Sequence, residues 1–325
     1  MAAVAEIDSL VLEFRSRSGR VRALDGAALS VGDGQRVGLV GESGSGKSTL
    51  ALALGRLLPP NAEHLEGALR VNGKSVFELD HAALRGLRRH ELGYVFQDPI
   101  GTLDPTMRIG RQIEAVLAGT GKTASIASLL ASVGLNDVRR IVRSFPHEMS
   151  GGMAQRVSIA IAIAPKPKLL IADEPTASLD ASIRSQILDL LVSLCAAHGM
   201  ALLLLSHDLR AISRYCERVA VMYGGRVIES GLTADVFGRP LHPYTEALLR
   251  AAPGQERIGG RIEPIPGLPP VLAGRIEGCS FAPRCTFAVD ECRTRRPERT
   301  DHGDRSVVCL RATERADAMA GVPPA

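Results

Sequence analysis

At 325 residues the chain is long enough for roughly two domains, and a hydrophobic share of 45% can supply their cores. Aromatic residues make up only 3%, with no Trp, which argues against carbohydrate clefts and base-stacking platforms, since both need aromatic faces. The net charge of +4 is spread along the chain and forms no clustered stripe for nucleic acid.

The first residues, Met1 to Asp8, hold no basic segment and acquire carboxylates early, so no secretory signal is expected. Residues 7–40 read as short alternating apolar segments with turns at Arg17–Gly19 and Gly32–Gly34. Val37–Val40 is a short buried strand leading straight into Gly41–Thr49. A helix is predicted over Leu50–Leu58, stopped by Pro59 and Pro60, then a hairpin over 64–80 and a basic helix over 81–91. Residues 98–156 carry helical periodicity, as at Ile109–Leu117 and Ile126–Val133. Buried strands return at Lys168–Ala172 and Ala201–Leu205, separated by a helix over Ser182–His198, and this alternation predicts a parallel sheet covered on both faces. The charge-free stretch 190–206 is broken by Ser193, His198 and Gly199, so no membrane span is expected. From 241 the chain turns Pro-rich and reads as a linker or extended arm, followed by a Cys-bearing tail.

Gly41-x4-Gly46-Lys47-Ser48 fits the phosphate-loop pattern, with a strand before it and a helix after it. Glycines at 41, 44 and 46, with Ser43 and Ser45 between them, let backbone N–H groups approach phosphate oxygens, and the helix N-terminus adds positive potential. Lys47 is expected on the β- and γ-phosphates of ATP, Ser48 on Mg²⁺ and Thr49 on the α-phosphate. Leu169–Ala172 is an apolar strand ending in Asp173 and Glu174. There Asp173 is expected to hold Mg²⁺ and Glu174 to polarise the attacking water.

Met149-Ser150-Gly151-Gly152-Met153-Ala154-Gln155-Arg156 then resembles the signature sequence of the ABC ATPases. Physically, Ser150, Gly151, Gly152 and Met153 open a helix whose N–H groups can face a phosphate. The resemblance implies that this phosphate belongs to a second subunit's ATP, in a head-to-tail sandwich. Phe96-Gln97-Asp98-Pro99 resembles the family's Q-loop, with Gln97 on Mg²⁺ and the attacking water. Ser178-Leu179-Asp180 resembles the D-loop, and Leu205-Ser206-His207-Asp208 the switch region, whose His207 would reach the γ-phosphate. Phe14 suits the aromatic that stacks on adenine. The resemblance covers 7–240 and implies an α/β fold: an ABC-type P-loop NTPase with a mixed sheet core, an antiparallel β subdomain, a helical insertion over about 98–156, and a small Cys-rich extension over 241–325.

Within the family, Phe96–Pro105, Phe145–Met153, His242–Leu249, Ile265–Pro270 and Gly278–Cys285 resemble the oligopeptide/dipeptide/nickel importer branch. Met153 in place of the usual Gln resembles the branch's D-type subunit, which implies pairing with an F-type ATPase; a homodimer stands as the alternative. Met149 for Leu and Ala177-Ser178 for Thr-Ala are departures. The branch implies an ATPase on the cytoplasmic face of the membrane, working with two membrane permease subunits and an extracytoplasmic binding protein that delivers peptides, nickel or another small solute. The non-transport ABC ATPases carry tandem cassettes, inserted zinc modules or coiled coils, none of which the sequence has. Cassettes that only hold ATP lose the Glu or His that is present here as Glu174 and His207.

Cys279, Cys285, Cys292 and Cys309 lack the short C-x2–4-C pairs of zinc ribbons. Four thiolates can hold a [4Fe–4S] cluster, which some branch members carry. Zinc and free structural thiols stand as alternatives. Cys195 and Cys216 read as core residues.

Overall fold

The computed structural model describes residues 3–16, 19–120, 125–252, 264–270 and 272–319. Its strands are β1 (Ala3–Ser16), β2 (Gly19–Gly32), β3 (Arg36–Val40), β4 (Ala62–Val71), β5 (Lys74–Ser75), β6 (Leu92–Val95), β7 (Leu169–Asp173), β8 (Ala201–Leu205), β9 (Arg218–Tyr223), β10 (Arg226–Leu232), β11 (Thr300–His302) and β12 (Arg305–Val307). The chain divides into two compact units. One holds Met1–Ala5, Val31–Gln35 and Val71–Leu204; the other holds Glu6–Ser30, Arg36–Arg70 and Leu205–Ala325.

In the first unit β6 and β7 run parallel, with Leu92 opposite Leu169 and Val95 opposite Ala172. Residues 169–172 are fully buried, as a continuous apolar run between two covered faces must be. β8 lies beside β7, where Ala201 N–H donates to Lys168 O at 2.9 Å. Helix Gly151–Ile163 packs so closely on β6 that a Cβ at Gly93 would sit 2.5 Å from Ala162 O. The expected helical stretch comprises Ile109–Thr120, Ile126–Ser132, Val138–Arg143 and Gly151–Ile163. Ser125 and Asp137 start the second and third of these by accepting from the N–H groups of Ser128 and Arg140.

In the second unit β3 pairs with β9 in parallel, and β9, β10, β12 and β11 follow in antiparallel order. The parts of β2, β1 and β4 that belong to this unit lie side by side in a second sheet. Three sequence expectations are corrected here. The segments before residue 33 are two strands of 14 residues each, not several short ones. The helix after the phosphate loop is Lys47–Leu54 rather than Leu50–Leu58, because the loop runs directly into it and Gly55, followed by Arg56 at φ +49°, ends it before the prolines. The segment after 241 is not an extended arm at its start. Pro243–Ala251 is a helix, with Pro243 in the first turn, where no N–H is needed, and Tyr244 fully buried. Of the prolines read there as an arm, Pro253 lies outside the described residues.

Candidate functional site: phosphate loop, strand-end carboxylates and cysteine module

In the second unit the buried β3 delivers the chain to Gly41 at φ +153°, where a Cβ would lie 2.1 Å from Met222 O on neighbouring β9. Only glycine fits. Gly46, at φ +106°, is equally confined, with Ala23 O at 2.7 Å from its would-be Cβ. Gly46 is also the N-cap of helix Lys47–Leu54 and offers no side chain to the helix's first N–H groups. These donors, at the positive end of the helix, can take phosphate oxygens. Ser45 is buried, and its Oγ meets no hydrogen-bond partner among the described residues. A buried hydroxyl without a partner in a glycine cradle suits an anionic oxygen. The buried Lys47 ammonium donates to Gly41 O at 2.8 Å and Glu42 O at 3.0 Å, folded over the loop it would serve. Ser43, Gly44 and Ser48 are exposed, and Thr49 is half-buried.

The switch residue reaches the same strand edge of this unit. Ser206, just past β8, donates its N–H to Leu39 O on β3 at 3.2 Å, and the exposed His207 follows it. Its neighbours are pinned. Ser206 Oγ accepts from Asp208 N at 2.9 Å, and Asp208 Oδ1 accepts from the N–H groups of Arg210 and Ala211 to start helix Leu209–Tyr215. Phe14 lies half-buried on β1.

The first unit holds the other candidates. Because Val95 is opposite Ala172, Phe96-Gln97 and Asp173-Glu174 leave adjacent parallel strands at the same end, which is where ligands bind in such sheets. Gln97 is exposed; Asp173 and Glu174 are half-buried. Glu174 has φ +45°, a left-handed conformation that costs a non-glycine residue about 1–2 kcal/mol. Such strain persists where the position of a side chain matters more than local comfort. In the signature segment Ser150 caps helix Gly151–Ile163, its Oγ accepting from Met153 N at 3.3 Å. Added Cβ atoms at Gly151 and Gly152 would make only ordinary contacts, 3.6 Å from Leu179 and 3.5 Å from Ile183. These two glycines are therefore not demanded by the packing of their own unit. The same contacts bring the signature beside the segment of Asp180, which starts helix Ala181–His198.

Comparison with known proteins identifies this assembly of parts. The ABC transporter family matches residues 24–177, and the oligopeptide/dipeptide transporter C-terminal region matches 228–292. A protein of Brucella abortus (strain 2308) named as a peptide import ATP-binding protein is 43% identical over 314 residues, covering 95% of each chain. The chain belongs to the ABC transporter ATPases of the peptide-import type. A similarly named protein of Brucella ovis is 40% identical over 96% of this chain and 98% of its own. Among solved structures, the dimeric ATP-binding cassette MJ0796 bound to ADP and Pi superposes with a TM-score of 0.62 at 26% identity, over 70% of this chain and 98% of that one. The cassette cbiO1 from Clostridium perfringens gives 0.61 at 27% identity, over 73% and 91%. The mixed-sheet cassette fold expected from the sequence is thus the fold of this ATPase. No helix among its described residues is long and apolar enough to cross a membrane.

In the C-terminal region of the ATPase, Cys279, Cys285, Cys292 and Cys309 all line one cavity of about 20 Å³, walled by His242 and Phe281. Burial pushes the Cys279 and Cys285 thiols up, and Cys309 to about 11. His242 is pushed down to about 3, by burial first and then by Arg315 and Arg226. It is therefore neutral, and its Nδ1 accepts from Tyr244 N. Among the described residues no three His, Cys, Asp or Glu side chains are arranged to hold a metal ion. The arrangement thus supports neither the [4Fe–4S] cluster expected from the sequence nor the zinc alternative; what the structure gives is that all four thiols line the same small cavity.

Sequence reasoning missed the residues that hold the phosphate loop from outside it. Glu42, the loop's second residue, donates its N–H to Tyr244 Oη at 2.9 Å. Its carboxylate accepts two bonds from Arg284, at 2.7 and 3.0 Å. Tyr244 and Arg284 lie in His242–Leu249 and Gly278–Cys285, two of the segments that marked the importer branch; that was the available signal.

Proposed function

We propose that this ATPase powers peptide import across the cytoplasmic membrane from its inner face, docked under two permease subunits that receive substrate from an extracytoplasmic binding protein. The observation that carries the reading is a glycine-cradled phosphate loop at a helix N-terminus, capped by Gly46 with no side chain, in the same chain as an oligopeptide/dipeptide transporter C-terminal region. In this reading Phe14 stacks on adenine, and the amides from Gly41 to Thr49 with Lys47 hold the phosphates. Glu174 takes a proton from water as its oxygen attacks the γ-phosphorus; the bond to the bridging oxygen breaks and ADP leaves. His207 and Gln97 orient that water. Ser48, Gln97 and Asp173 would each offer an oxygen donor, the ligand type that suits Mg²⁺; the ion would neutralise charge on the β- and γ-phosphates.

Ser150 to Met153 serve the ATP of a partner cassette, an F-type ATPase, with Asp180 at the shared interface. The two glycines that their own unit does not require support this part, since only glycine lets a backbone approach a ligand closely. The test is uptake. Vesicles holding the permease pair, both ATPases and the binding protein should accumulate labelled peptide only with internal ATP. Nickel uptake without peptide uptake would reject the peptide reading.

We propose further that Cys279, Cys285, Cys292 and Cys309 hold a [4Fe–4S] cluster, which would cross-link an aromatic-poor module. The lining of one cavity by all four thiols supports it. Protein purified without oxygen should be brown, with visible absorption that bleaches on reduction. Colourless protein with one equivalent of zinc would contradict the cluster.

A further inference from the structure

Two of the branch-marking segments have no part in the chemistry above, yet both end on the phosphate loop. The guanidinium of Arg284 is buried and grips both carboxylate oxygens of Glu42, and it also donates to Tyr223 Oη at 3.2 Å and Pro266 O at 2.7 Å. A two-pronged, charge-assisted pair of this kind fixes direction as well as distance. The backbone that carries Arg284 is itself tied between two cysteines. Ala282 N–H donates to Cys279 O at 3.0 Å, Arg284 N–H to Phe281 O at 2.9 Å and Cys285 N–H to Ala282 O at 3.3 Å. Tyr244, the second hold on Glu42, packs against Tyr223 and Phe281 with ring centroids 4.4 and 5.4 Å away. Its helix is anchored by the fully buried Glu229, which accepts from the N–H groups of Leu241 and His242. Glu42 O in turn accepts from Lys47, the residue expected on the β- and γ-phosphates.

We propose that Arg284 and Tyr244 are positioning residues for ATP binding: through Glu42 they hold the phosphate loop in its binding shape and tie that shape to the cysteine module. This rests on the reading of Gly41–Thr49 as the ATP site. The occupant of the cysteine cavity does not enter it. Because the clamp shapes the loop before hydrolysis, its loss weakens ATP affinity more than it slows the chemical step.

The test measures the ATP Kd and KM, kcat and thermal midpoint of the full chain with its partner cassette. Arg284→Ala should raise Kd and KM about tenfold, the size expected when a coupling network is cut, with a smaller change in kcat. Arg284→Lys, which keeps the charge but loses the fork, should recover part of the loss. Glu42→Gln should resemble Arg284→Ala, and the double variant should be no worse than either, because the pair acts as one unit. Tyr244→Phe keeps the ring packing and removes only the hydroxyl; it too should raise Kd, which keeps the test decisive if Arg284→Ala does not fold. Folded Arg284→Ala and Tyr244→Phe variants with wild-type Kd and KM would overturn the proposal. A wild-type chain that fails to bind ATP would instead overturn the assignment of the loop.

Discussion

Replacing Glu174 by Gln should leave ATP bound and almost unhydrolysed. The amide keeps the size and the left-handed backbone setting of the residue but cannot take a proton. General-base catalysis contributes about 10² to 10⁴ in rate, and kcat should fall by that factor while ATP affinity holds. In the proposed ATP sandwich hydrolysis reopens the pair, so the variant should also accumulate as a closed pair of cassettes. Single-turnover measurement of phosphate release checks the rate, and near-normal release would reject Glu174 as the base.

Lys47→Ala has the second large effect, and it acts on binding. In wild type the buried ammonium donates to the carbonyls of Gly41 and Glu42. Its removal takes two donors from the loop and, in the proposed site, a positive charge from the phosphates. Hydrogen bonds to charged groups are worth about 1.5–3 kcal/mol, so the ATP Kd should rise about 10- to 100-fold. Arginine should not substitute, because a planar fork does not fit a buried position shaped for a compact ammonium. Titration calorimetry with ATP reads the change directly.

The parts of this ATPase that announce themselves in sequence are those where backbone chemistry permits few residues. Gly41 and Gly46 sit where neighbouring carbonyls leave no room for a Cβ, so the motif is nearly forced by the fold. The buried strands β7 and β8 are legible because strands covered on both faces must be apolar throughout. β6, β9 and β10 escaped notice. β6 has only four residues, one of them Gly93, and β10 mixes Arg226, Glu229 and Ser230 into its run and changes register between Val227 and Glu229. Glu229 is fully buried, satisfied by Leu241, His242 and Arg305, and no local pattern reveals partners so far along the chain. The Arg284–Glu42 pair spans 242 positions and was illegible for the same reason. The helix at Pro243 was hidden by its own proline, which reads as a breaker unless its place in the first turn is known.

The central claim is that the phosphate loop is half of a site and that a second cassette's signature completes it. Light scattering of the Glu174→Gln chain with its partner cassette, before and after ATP and Mg²⁺ are added, tests this most directly. The expected result is a nucleotide-dependent pair of cassettes holding two ATP molecules. Cassettes that remain separate with ATP bound, or a wild-type chain that turns over ATP at full rate as a monomer, would contradict it.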